Sequence, residues 1–268
     1  MLDIPKFKTN KELYTFLVEN KETLLNQKKS VVKYADGISS NVTLVKDFES
    51  TKGINVNKES ENEITVKAII NTTNIMDSHS DVHIKGLWNK SIKENKRILH
   101  VQEHKSQEFD KIISSGKDLE VSVKDFQWKE LGFNANGSTE ALVFDSTVKS
   151  SRNNYMFEQY KGGFVDNHSV GMQYVKLDLA INDDEFEKEM DFWNKHIENV
   201  INKEDAIAQG YFWVVTEAKV IEGSAVPMGS NPITPTLETK NEPLEDTQPN
   251  KDEAAKALQQ QRKQFLLM

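Results

Sequence analysis

From Glu63 onward the chain keeps returning to one pattern. Short runs rich in β-branched residues, partly alternating apolar with polar, are bounded by polar turn residues. Ile64-Thr65-Val66-Lys67-Ala68-Ile69-Ile70 is the clearest of them, and similar runs fall at 97–101, 119–124, 139–144, 170–177 and 211–220. Period-two alternation gives a strand one apolar face, which is stable only when another layer covers it. The pattern therefore predicts an α+β protein with a β-barrel-like core of short, mostly antiparallel strands decorated by helices.

Helical periodicity lies between and before the strands. Over 10–28, Leu13, Phe16, Leu17, Leu24 and Leu25 recur at near-helical spacing, Thr9 or Asn10 is placed to cap, and Glu12 sits in the first turn. Further helices are predicted at 87–96, at about 150–160, and over a long stretch at 184–208. In that last stretch Phe186, Met190, Trp193, Ile197, Val200 and Ile201 form one stripe among charges, most simply a packing face. Residues 30–60 are polar apart from short apolar pieces, as in an irregular arm or a pair of weak edge strands. Five of the six prolines fall from Pro227 to Pro249, and 238–253 is rich in acids, so this stretch reads as a linker before a last helical segment at 252–267. The predicted organisation is an N-terminal helical and polar arm at 1–60, one domain at 61–236, and a linker with a C-terminal helix at 237–268.

Composition narrows the chemistry. With no cysteine in 268 residues, disulfides, thiolate catalysis and cysteine-ligated zinc are excluded. A formal charge of −8 without a Lys/Arg stripe argues against nucleic acid as a partner. No apolar run is long enough to span a bilayer, and the first ten residues lack the apolar core of a leader, so neither membrane nor secretion is expected. No glycine-rich phosphate loop is present, which argues against a nucleotide-driven enzyme. Apolar residues make up only 37% and charged residues 28%, so part of the length is expected to be solvated helix or tail.

Three segments bear side chains able to work together. His104 ends Ile98-Leu99-His100-Val101-Gln102-Glu103-His104, Ser169 lies in His168-Ser169-Val170-Gly171-Met172, and Glu222 opens Glu222-Gly223-Ser224-Ala225-Val226-Pro227-Met228-Gly229-Ser230-Asn231-Pro232. A serine is a poor nucleophile until a base takes its proton, and an imidazole is a better base when a carboxylate holds its tautomer. Each piece alone has an ordinary reading: Ser-Val-Gly as a strand start, Glu222 as a solvated turn residue. His100 rivals His104 as the base and Glu217 rivals Glu222 as the carboxylate. His168 is also a possible second base, but adjacent strand residues point to opposite faces, so it should not share a site with Ser169.

The order and surroundings of these segments resemble the prohead (capsid maturation) serine proteases of tailed bacteriophages, a family related to the herpesvirus assemblin. In that family a histidine follows an apolar strand, and a serine opens a strand of the type Ser-(Val/Ile)-Gly-(Phe/Met). A Glu-x-Ser-x-Val segment then runs into an Asn-Pro turn. The turn Asp77-Ser78-His79-Ser80-Asp81-Val82-His83-Ile84-Lys85-Gly86 is similar to the family's Asp-rich turn upstream of the histidine. The resemblance covers about 62–236. It implies an assemblin-like fold with Ser169 as nucleophile, His104 as general base, Glu222 as the third member and Gly171 as backbone support for an oxyanion pocket, with no cofactor. It also implies a serine endopeptidase of capsid maturation. Such an enzyme would cleave scaffolding protein, the scaffold segment of the major capsid protein, and itself, inside the assembling prohead in the host cytoplasm. Assemblin relatives dimerise, so a homodimer is an expectation too. Two features depart from the family: Lys105-Ser106 after the histidine, and the 184–208 helix, which looks inserted.

Two other readings compete. An inactive relative would serve as an internal scaffold or assembly protein without Ser169 and His104 having to meet. A metal site would use His79, His83, His100 and His104 with Asp77 and Asp81. The i,i+4 histidine pairs share a site only on a helix, and on a strand they stand about 13 Å apart, so the metal reading is the weaker.

Overall fold

The alternating run at Glu63–Thr72 (β1) buries Ile64, Val66, Ala68 and Ile70 against the second half of the molecule. These positions belong to a computed structural model describing residues 4–30, 32 and 61–240. The remaining strands are β2 (Asp81–His83), β3 (Leu99–Gln102), β4 (Ile112–Ser115), β5 (Leu119–Gln127), β6 (Ser138–Lys149), β7 (His168–Ile181), β8 (Tyr211–Ala225) and β9 (Thr236–Lys240). The helices are α1 (Asn10–Glu19), α2 (Lys21–Ser30), α3 (Asn89–Glu94), α4 (Asn154–Lys161), α5 (Glu187–His196) and α6 (Lys203–Gln209).

The protein is α+β, but its strands form antiparallel and mixed sheets rather than the barrel-like core predicted; among the described residues neither sheet closes. One sheet is antiparallel, in the order β5-β6-β1-β9. The other is built on β8, the longest strand. β7 runs antiparallel along one edge of β8. The other edge is divided between β2 and β3, both parallel to β8, and β4 pairs onto β3. The parallel pairings are what hydrophobic alternation does not disclose, because it specifies a face and not a direction.

The two sheets share one core. Phe144 of β6 and Ile70 of β1 lie against Gly223 of β8, and a Cβ there would stand 2.4 Å from the Phe144 ring. Helices α1, α2 and α4 add Tyr14, Leu17, Leu24, Leu25, Met156, Phe157 and Tyr160 to the same cluster. Each large side chain so buried contributes about 1.5–3 kcal/mol. The two N-terminal helices are thus part of the body and not a separate arm. Lys28 of α2 reaches inward to Asp81 at 2.5 Å, over the Trp213 ring, and Tyr174 donates to the other carboxylate oxygen at 2.6 Å.

Helix limits moved where side chains compete for backbone. Thr9 caps α1 with a Glu12 capping box, but the run predicted as one helix over 10–28 breaks at Asn20, whose side chain donates to Phe16 O at 2.9 Å. The helix predicted over 184–208 is divided into α5, a 3₁₀ turn and α6. Asn202 is the cause: its amide binds Met76 N at 2.8 Å and Met76 O at 3.0 Å, and Ile201 N donates to Asn74 O. The predicted domain limit at 236 extends through β9, which pairs with β1 as far as Lys240. The polar stretch at 33–60 and the linker and helix beyond 240 lie outside the described residues. Among the described residues no helix is long and apolar enough to cross a membrane.

Candidate active site

Three strands side by side set the site. In the β7–β8 ladder Ser169 stands opposite Ser224 and Gly171 opposite Glu222, while β3 places Leu99 beside Glu222 and Val101 beside Ser224. Residues directly opposite share a face, as do residues two apart, so Ser169, Gly171, Glu222 and Ser224 all face the side of the sheet away from Phe144.

His104 reaches that face by a sharp turn. After β3, Glu103 N still bonds Ala225 O at 3.0 Å and Lys105 N turns back to Gln102 O at 3.0 Å. Between them Glu103 and His104 both adopt left-handed backbone, φ 50° and 59°. That conformation costs a non-glycine residue of order 1–2 kcal/mol. Ser224 holds the turn in place: its Oγ accepts from His104 N at 2.7 Å and donates to Val101 O at 3.2 Å. The imidazole then lies over β8, with Nδ1 2.6 Å from Glu222 Oε1.

Gly171 explains how a carboxylate fits there. A Cβ at that position would lie 2.0 Å from Glu222 Oε1 and 2.7 Å from its Cδ, so the carboxyl group occupies the volume a side chain would need. Gly171 was expected to support an oxyanion pocket. What it does here is seat Glu222, because its N–H belongs to the β8 ladder. Val226 N bonds Asn167 O while His168 N turns away to Thr234 Oγ1. By alternation residues 169 and 171 then face β8, and Val170 N–H faces the outer edge.

Burial sets the electrostatics. Glu222 is 0% and Ser169 2% exposed. Desolvation pushes the Glu222 carboxyl above the ordinary carboxylate range, and the bond from His104 opposes that shift. A carboxylate oxygen accepts, so His104 carries its proton on Nδ1, and Nε2 is the basic nitrogen. Ser169 Oγ is buried and makes no hydrogen bond among the described residues, so the serine–histidine bond is not closed in this structure.

The rival residues go elsewhere. His100 and His168 are both wholly buried on the core side of the same strands, each bonded to Tyr160 Oη, at 3.1 and 2.9 Å. The expectation that His168 and Ser169 point to opposite faces agrees with this placement. Glu217 is paired with Lys90 at 3.0 Å and Lys176 at 2.8 Å, which hold its carboxyl below the usual range. His83 binds Asn71 at 3.0 Å, and Asp77 accepts from the backbone of His79 and Asp81, closing its own turn. The i,i+4 pair His100/His104 is split between the two faces of the sheet. Among the described residues no group of three or more His, Asp or Glu side chains is arranged to hold a metal ion.

Sequence reasoning passed over Ser224 and Tyr160. Ser224 carried a signal, since it follows Glu222 at the i+2 spacing that puts both on one face. Tyr160 carried none, being one aromatic residue on a helix stripe.

No protein-family model, curated protein or solved structure matches this chain.

Proposed function

We propose that the protein is a serine endopeptidase working through Ser169, His104 and Glu222. The observation that carries the reading is the placement of all three on one sheet face, with Glu222 Oε1 2.6 Å from His104 Nδ1 in the space left by Gly171. Glu222 fixes the imidazole with its proton on Nδ1 and stabilises the imidazolium formed when Nε2 takes the Ser169 proton. Ser169 Oγ then attacks the peptide carbonyl, the scissile C–N bond breaks as the imidazolium returns its proton to the leaving amine, and water releases the acyl group by the reverse route. Val170 N–H, which the ladder leaves facing outward beside the nucleophile, is the donor for the developing oxyanion.

The order of the His104, Ser169 and Glu222 segments supports capsid maturation as the setting, with an assemblin-like catalytic core. The substrates would be scaffolding protein, the scaffold segment of the major capsid protein and the chain itself. Burial of Ser169 suits an enzyme that must stay silent until assembly exposes it, because a closed site spares the host's proteins.

The test is intact mass over time for wild type beside Ser169→Ala. Truncation of the wild type alone, between Pro232 and Lys251, is the expected result. If both chains stay whole with and without co-assembled capsid and scaffold proteins, the enzyme reading fails, and a non-catalytic scaffold role takes its place.

A further inference from the structure

Beneath the Ser169 face lies a polar chain that the proposed chemistry does not use. His168 Nδ1 is 2.9 Å from Thr234 O. A carbonyl can only accept, so Nδ1 carries the proton and Nε2 of the neutral ring is an acceptor. Tyr160 Oη, 2.9 Å away, therefore donates to His168 Nε2. That engages the one phenolic proton, so His100 Nε2, 3.1 Å from the same oxygen, is the donor to Tyr160. His100 Nδ1 must then accept from Ser146 Oγ at 2.8 Å, and Ser146 in turn accepts from Ser114 Oγ at 2.6 Å. Ser114, Ser146, His100, Tyr160, His168 and Thr234 form one directed chain in which each proton has a single place to go.

The chain crosses the sheet where the site is built. His100 lies on β3, four residues before His104, and His168 lies on β7, next to Ser169. Those strands flank β8 on opposite sides, with Gly223 facing both His100 and Val170 in the ladders. The two imidazole centroids are 6.3 Å apart across it, and Tyr160 of α4 joins them. Resting on the reading of Ser169 as nucleophile, we infer that Tyr160, with His100 and His168, is a positioning device that ties the nucleophile's strand to the strand delivering the base.

No charged side chain takes part in this chain; its members are the two imidazoles, the phenol, serine hydroxyls and the Thr234 carbonyl, and burial keeps both imidazoles neutral. A proton added to His168 Nε2 would leave the Tyr160 proton without an acceptor and put a charge in the core.

The experiment uses full-length chain and diisopropyl fluorophosphate at pH 8, with labelling of Ser169 followed by intact mass. Proton NMR of the hydrogen between His104 and Glu222 is recorded in parallel. Tyr160→Phe removes both bonds of the strap. His168→Asn keeps a donor toward Thr234 but loses the acceptor for Tyr160, whereas His168→Gln keeps that acceptor. Phe157→Leu loosens α4 while keeping every hydrogen-bonding group of the strap, and controls for stability. Tyr160→Phe and His168→Asn are expected to label about tenfold or more slowly than wild type. His168→Gln and Phe157→Leu should stay within about twofold of it. Equal labelling of Tyr160→Phe and wild type overturns the inference, as does equal slowing in Phe157→Leu. If wild type is labelled neither alone nor with co-assembled capsid and scaffold proteins, the hydrolase reading fails separately. The strap is then judged on the NMR signal alone, which Tyr160→Phe must shift or broaden if the strap positions His104 and leave unchanged if it does not.

Discussion

Gly171→Ala is the most incisive perturbation of this site, because the structure says where the added methyl goes. Its carbon would stand 2.0 Å from Glu222 Oε1, 2.7 Å from Cδ and 2.9 Å from Cγ. Ordinary carbon–oxygen contact begins at about 3.3 Å, so the carboxyl group must retreat by more than about 1 Å. The bond it would lose is the 2.6 Å contact with His104. Overpacking a dense interior costs about 1–3 kcal/mol, and losing a charge-assisted hydrogen bond about 1.5–3 kcal/mol. With part of the strain relaxed, a destabilisation of about 3 kcal/mol is expected in urea unfolding at pH 7, together with loss of the NMR signal of the bonded proton. The diagnostic measurement is a double-mutant cycle. In a Glu222→Ala background the carboxyl group is gone, and Gly171→Ala should cost less than about 0.5 kcal/mol. The same cost in both backgrounds would refute the argument that Gly171 exists to seat Glu222.

Two further outcomes follow from the buried ionisable groups. His168 is held from 6.5 down to about 4 by burial, so between those values the unfolded chain binds a proton that the native chain refuses. Stability from this residue is complete above about pH 6.5 and is lost as pH falls toward 4, by roughly 3 kcal/mol, with Glu222, its carboxyl raised, acting in the opposite direction. His168→Gln should therefore flatten the fall of the urea midpoint between pH 7 and pH 5, and an unchanged slope would contradict this assignment. Lys28→Ala, which strips the cation from a buried Asp81, should cost about 3–5 kcal/mol, whereas Lys28→Met with Asp81→Asn should recover most of that loss; equal destabilisation of the two would show that the pair is not what docks α2.

What was legible in the sequence was local. Period two located β1, β3, β5, β6, β7 and β8, because each had to bury one face. It missed β2, β4 and β9, whose three to five residues carry too few alternating apolar side chains to stand out from the polar turns around them. The long helix was misread for a related reason. Its apolar stripe is real, with Trp193, Ile197 and Val200 buried in one cluster, but Asn202 prefers the backbone of Met76 to its own helix.

The site divides along the same line. Residue types and their order along the chain singled out Ser169, His104 and Glu222. The i,i+2 rule of a strand separated Ser169 from His168, and needed no tertiary information to do so. The pairing of His104 with Glu222, while His100 turns to Tyr160 and Glu217 to two lysines, belonged to the tertiary structure. His100 and His104 stand four residues apart, and on an uninterrupted strand they would share a face. Two left-handed residues and a hydroxyl from β8 carry His104 to the opposite side. Glu222 is selected because a glycine on the neighbouring strand leaves it a place to sit, while Glu217 meets two lysines instead. Sequence spacing fixes the face a side chain takes within one strand; which strands lie side by side, and what volume each leaves vacant, is decided only when the sheets close over a common core.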